Sequence, residues 1–137
     1  MSATDPRPQE GSMCTQTPGF NLTARWQKAG PDLLVLVTGG DTPHIGAVAA
    51  ATPRPSLADP NRQSATASVL CFLGHKEDDL AKGLAEFLAS RLGSRVVVAA
   101  GAHWDNLTAA QIETVRHNAA TLGEMLLEAL RQGQPAP

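Results

Sequence analysis

The sequence predicts an α+β fold: an antiparallel β-meander with two helices on one face, in the order β-β-β-β-α-β-α, forming a two-layer sandwich. Two observations lead there. Four consecutive stretches with strand character are joined by short links, which favours pairing between sequence neighbours. The hydrophobic period then switches to that of a helix twice, around residues 77–93 and 108–131, with one aliphatic run between them.

The segments carry these assignments in order. Residues 1–18 are rich in Pro, Ser, Thr and Gln and are expected to form a disordered tail, as are residues 132–137. One domain is expected over 19–131. "FNLTARWQKAG" alternates Phe20, Leu22, Ala24 and Trp26, the period of a half-buried strand. "DLLVLVTGG" is a continuous aliphatic run closed by Gly39 and Gly40, the pattern of a central strand. "IGAVAAATP" gives a third strand. The polar, proline-bearing "RPSLADPNRQS" is a surface loop or hairpin tip, and "ATASVLCFLG" a fourth strand.

In "HKEDDLAKGLAEFLASRLG", Leu80, Leu84, Phe87, Leu88 and Leu92 share one helical face. Glu77, Asp78 and Asp79 suit its first turn, and Gly93 closes it. "RVVVAAG" is a fifth strand. Thr108 followed by Gln111 forms a capping box, and Ile112, Val115, Ala119, Leu122, Leu126 and Leu130 then make one stripe of a helix ending near Arg131. The aliphatic strands imply that the second sheet face is covered as well, so a homo-oligomer is expected.

Composition excludes several classes. With 137 residues, 42% of them hydrophobic and 18% charged, the chain has the profile of a soluble globular protein. A net charge of −2 and few aromatics argue against a nucleic-acid or anionic-membrane partner. No apolar stretch approaches the ~18 residues of a membrane span, and the first residues lack a signal-peptide pattern, so the expected location is cytoplasmic. The two cysteines, Cys14 and Cys71, stand far apart, and Cys71 reads as a small buried hydrophobe.

Candidate chemistry gathers in "TGGDTPHIGAV", residues Thr38 to Val48. Gly39, Gly40 and Gly46 let backbone N–H groups approach a ligand, Thr38 and Thr42 add hydroxyls, and His44 adds a chargeable ring. Arg54, Arg62 or Lys76 would add positive charge if their segments fold over it. An ordinary hairpin and an anion-binding hairpin are equally compatible with this composition, and Asp41 weighs against a phosphate there. His44, His75 and His103 all sit at element junctions, where they would hold a phosphate, move a proton or, as a weaker alternative, bind a metal with a carboxylate such as Asp105. His117 is read as a surface residue. The chain has no P-loop ending, GxGxxG, GxSxG, HExxH or CxxC pattern, and no catalytic residue is assigned.

"DLLVLVTGGDTPHIGAV" and "GAHWDNLTAAQI" (Gly101 to Ile112) resemble the signature segments of the prenylated flavin chaperone family, which includes the D subunit of gallate decarboxylase. The similarity spans about residues 20 to 131. The matching positions are Thr38, Gly39, Gly40, Pro43, His44, Ile45 and Gly46, then Gly101, His103, Asn106, Thr108 and Gln111. The resemblance implies a fold like the small proteasome-assembly chaperones, a homodimer, and a non-catalytic role. It also implies prenylated FMN as bound cargo, and a UbiD-type decarboxylase and a flavin prenyltransferase as partners.

Combined with the residue chemistry, this gives Thr38, Gly39, Gly40, Thr42, His44, Gly46, His103 and Trp104 as the expected cofactor-binding set. Thr108 and Gln111 are accounted for by capping, and Asn106 by a turn. Two alternatives stay open. One is a metal- or flavin-dependent enzyme acting on the cofactor or a small aromatic acid. The other is a structural subunit of a decarboxylase complex.

Overall fold

A computed structural model describes residues 5–72 and 77–132. Six strands form one sheet: β1 (Glu10–Cys14), β2 (Leu22–Ala29), β3 (Asp32–Gly40), β4 (Ala47–Pro55), β5 (Gln63–Cys71) and β6 (Val96–His103). Helix α1 (Asp78–Leu92) precedes β6 and α2 (Ala109–Arg131) follows it. The fold is α+β in two layers, and its sheet is mostly antiparallel.

Strand order is β1-β2-β3-β6-β4-β5, so β6 enters between β3 and β4 and interrupts the expected meander. It runs parallel to β3 and antiparallel to β4. Burial explains this placement. "LLVLV" in β3 and "VVVAA" in β6 are the two most continuous aliphatic runs, and the centre of a sheet is where such strands lose the most apolar surface to neighbours. The hydroxyl-rich β5 and the short β1 take the edges.

Strand β1 lies inside the segment expected as a disordered tail. It pairs with β2 from Glu10↔Gln27 to Cys14↔Thr23. Gly11 makes this possible, because a Cβ there would come 2.8 Å from Cζ2 of Trp26, whose ring occupies that space. The other expected tail, residues 132–137, lies almost wholly outside the described residues. Cys71, expected to be buried, is exposed at the end of an edge strand, and Cys14 is half-buried in β1.

The core forms where alternate strand residues meet the helices. Leu22, Ala24, Val35, Val37, Ala47, Ala49, Val98 and Ala100 are fully buried on the helix side of the sheet, against Leu88, Leu122 and Leu126. α1 packs on β4, β5 and β6, and α2 on β1 and β2. Both helices end as the sequence indicated: Gly93 caps α1 in the left-handed conformation, and Thr108 and Gln111 close a reciprocal capping box on α2. Residues 56–62 form the β4–β5 hairpin tip, closed by Ser56 N–H donating to the Arg62 carbonyl at 2.8 Å. Among the described residues, no helix is long and apolar enough to cross a membrane.

Candidate functional site

The parallel pairing of β3 and β6 brings their C-terminal ends, Gly40 and His103, side by side. The strand β4 begins at the same edge, so the loop of residues 41–46 must turn over the end of β6 to reach it. Backbone hydrogen bonds fix that turn. Asp41 N–H donates to the His103 carbonyl at 2.8 Å, Gly46 N–H to the Ala100 carbonyl at 2.9 Å, and Phe72 N–H to the Gly46 carbonyl at 2.8 Å.

Glycine is required where the two segments cross. Gly40 has φ of +80°, and a Cβ on it would lie 1.9 Å from the His103 carbonyl oxygen. A Cβ on Gly101 would lie 1.8 Å from the His44 carbonyl oxygen. Each glycine therefore makes room for the backbone of the other segment. At Gly39 a Cβ would meet the Asn21 carbonyl and Leu22 at 2.8 Å and the Trp104 ring at 3.2 Å. These three glycines are explained by close packing, before any ligand is considered.

His44 is held at both ring nitrogens. Its Nδ1 donates to the Thr42 carbonyl at 2.9 Å, and its Nε2 meets Glu77 Oε1 at 2.7 Å. Both facing atoms are acceptors, which favours the doubly protonated ring. The Thr42 carbonyl foremost, and Glu77 with it, raise the His44 pKa above the usual histidine value, against the opposing effect of burial. The ring thereby ties the loop to the start of α1. Glu77, expected in the first turn of α1, is instead its N-cap residue, with its side chain 11% exposed and in contact with the loop.

His103 is exposed and pairs through Nε2 with Asp105 Oδ1 at 2.9 Å. The next side chain, Trp104, is half-buried. Its indole N–H donates to the Gly19 carbonyl at 2.8 Å, and its ring lies 6.2 Å from that of Phe20, tilted by 39°. Asn106 adopts φ of 57°, the turn conformation in which asparagine is tolerated, and leads into the α2 cap. Behind these, buried Asn118 of α2 donates to the Phe20 carbonyl at 2.7 Å and accepts from Thr17 Oγ1 at 3.0 Å, fixing residues 15–21 against the helix. A polar residue inside the stripe from Val115 to Leu122 was the available sequence signal for that anchor.

All eight residues expected to meet a cofactor, Thr38, Gly39, Gly40, Thr42, His44, Gly46, His103 and Trp104, thus belong to one edge of the sheet. Arg54 and Arg62 do not join them. They sit at the opposite end of β4, where Arg54 Nε donates to Thr66 Oγ1 at 2.6 Å. His75 and Lys76 lie outside the described residues. Among the described residues no group of three or more His, Cys, Asp and Glu side chains is placed to hold a metal ion. His117 is exposed on α2, as expected.

Residues 16–131 match the model of the prenylated flavin chaperone LpdD-like domain. The chain belongs to that family. It is 31% identical over 101 residues to Protein LpdD of Lactiplantibacillus plantarum, covering 72% of this chain and 68% of that protein. Both interlocking segments fall inside the matched range of the family. A crystal structure of a chaperone complex for yeast 20S proteasome assembly shares the fold. It aligns with a TM-score of 0.57 at 12% identity, over 88% of this chain and 96% of that one.

Proposed function

We propose that this protein binds prenylated FMN as cargo and delivers it to, or helps it mature in, a UbiD-type decarboxylase, after a flavin prenyltransferase has made it. The observation that carries this reading is the family match across both interlocking segments. The Thr38–Gly46 loop and the start of the 101–112 segment form one edge, at which the Thr42 hydroxyl and His103 face a ligand phosphate, while His44, with both ring nitrogens engaged, holds the loop in place. The glycines act through shape, since they let the loop close over β6, and Trp104 supports that shape from below.

No bond is made or broken by the protein in this role. A carrier must hold its cargo long enough to shield the reactive ring system and release it on contact, which corresponds to micromolar affinity, about −8 kcal/mol. The working compartment is the cytoplasm. The working form is a homo-oligomer, joined through the sheet face opposite the helices, where Leu34, Leu36, Val48, Leu70, Val97 and Ala99 form an apolar surface.

Anaerobic gel filtration of the protein with prenylated FMN, and separately with FMN, tests the cargo reading. The flavin spectrum should travel with the protein for the prenylated form and not for FMN. If neither flavin travels with the protein, the cargo reading is wrong.

A further inference from the structure

The helices approach closely in two places. Gly123 of α2 faces Leu84 and Phe87, where a Cβ would sit 3.2–3.3 Å from their side chains. Near their C-terminal ends, Arg131 Nη2 donates to the Arg91 carbonyl at 2.8 Å. Along their N-terminal halves a groove of about 780 Å³ opens between them. Leu80, Gly83 and Phe87 form one wall, at the i, i+3, i+7 spacing of a single helix face, and Ile112, Val115 and Ala119 form the other. Its volume is that of a small-molecule site.

Gly83 is the informative residue. It is exposed, lies in the middle of α1, and does not have positive φ. A Cβ built on it would touch nothing within 4 Å. Glycine destabilises a helix interior relative to alanine, and here neither backbone geometry nor packing requires it. Gly123 across the groove has a packing reason; Gly83 has none. Its effect is to leave one wall flat and open. Ile112, 40% exposed on the facing wall, is likewise an apolar side chain without cover.

The groove adjoins the sheet edge already described. Asp79 and Leu80 line it, and Glu77, two residues before Asp79, is the residue that holds His44. The α2 wall begins at Ile112, nine residues beyond His103 on the same edge. The N-terminal ends of both helices thus carry the sheet edge and the groove together, an arrangement suited to a ligand with an anionic end and a flat, largely apolar ring system. The groove's rim carries Arg116 beside Asp79 and Glu124. It offers no net attraction for a phosphate and selects on apolar shape.

We infer that the α1–α2 groove holds the prenyl-modified ring system of the flavin, with Gly83 as the residue that keeps it open. The assignment rests on the cargo reading of the preceding subsection. Anaerobic titration of prenylated FMN and FMN, followed by flavin absorbance, tests it on wild type, Gly83→Leu, Gly83→Ala and Ile112→Ser. Gly83→Leu should weaken prenylated FMN binding at least tenfold with no fall in melting temperature, because leucine favours the helix. Gly83→Ala should bind nearly as wild type, and Ile112→Ser should bind several-fold more weakly.

Wild-type affinity in both Gly83→Leu and Ile112→Ser, when wild type itself binds, overturns the groove and leaves the cargo reading standing. Loss of decarboxylase capture by Gly83→Leu with flavin binding intact also overturns it, in favour of a partner's helix. Absence of binding by wild type removes the cargo reading and the groove assignment together.

Discussion

Gly40 and Gly101 lie sixty-one positions apart in the sequence and make room for each other's segment in the fold. Composition marked Gly40 as a residue for ligand approach, because the carbonyl it must avoid belongs to a strand far along the chain. Replacing either by alanine should cost about 2–4 kcal/mol, through overpacking at both positions and strain at Gly40 as well. Urea unfolding measures this, and an unchanged midpoint would contradict the interlock. His44 was legible as an odd residue for a turn, but Glu77, thirty-three positions away, was not. Its raised pKa has a signed consequence. The stability that His44 contributes is fully present below its unfolded pKa of about 6.5 and is lost as pH climbs through the higher folded value. The stability gap between wild type and His44→Gln should therefore shrink on going from acidic to alkaline pH. Parallel melts across that range measure it, and a gap that widens with pH would contradict a protonated clasp.

Helix ends are legible in the sequence almost to the residue, because they are fixed by neighbours along the chain. Thr108 and Gln111 close their capping box within four positions, and Gly93 stops α1 within one. Thr108→Ala should accordingly lower stability by about 1 kcal/mol. Strand order was less legible because it is decided by which strands bury most, and that competition is non-local. The run "RVVVAAG" identified β6 as a strand but not as the partner that separates β3 from β4. Strand β1 is not legible in the sequence because Glu10, Gly11 and Ser12 carry no apolar alternation; its ladder to β2 and the Trp26 ring over Gly11 place it. Asn118→Ala should expose the cost of a buried polar anchor, about 2–3 kcal/mol, since it leaves the Phe20 carbonyl and Thr17 hydroxyl short of a partner. Faster proteolysis within residues 15–21 of that variant would report the same loss locally.

The molecule as a whole covers one sheet face with helices and leaves the other open, with aliphatic residues of β3, β4, β5 and β6 beside the polar Arg25 and Gln27 of β2. Leu34 is 49% exposed, Leu70 64% and Val97 36% on that open face. A second copy is the proposed cover, so Leu34→Lys should convert a dimer to a monomer in sedimentation velocity; a wild-type monomer at high concentration would contradict it. The aliphatic character of the open face is legible in the strands' composition. The helix groove is not, because it depends on how two distant helices pack. What unites edge, groove and family is the claim that the protein carries a flavin and then gives it up. The direct measurement is transfer: protein loaded anaerobically with prenylated FMN is mixed with an apo-decarboxylase of the UbiD type, and the flavin is followed between the two by gel filtration with activity assayed alongside. The flavin should move to the decarboxylase, and activity should appear faster than with the same concentration of free prenylated FMN. Flavin that stays with the carrier, or activation no faster than by free cofactor, would contradict it.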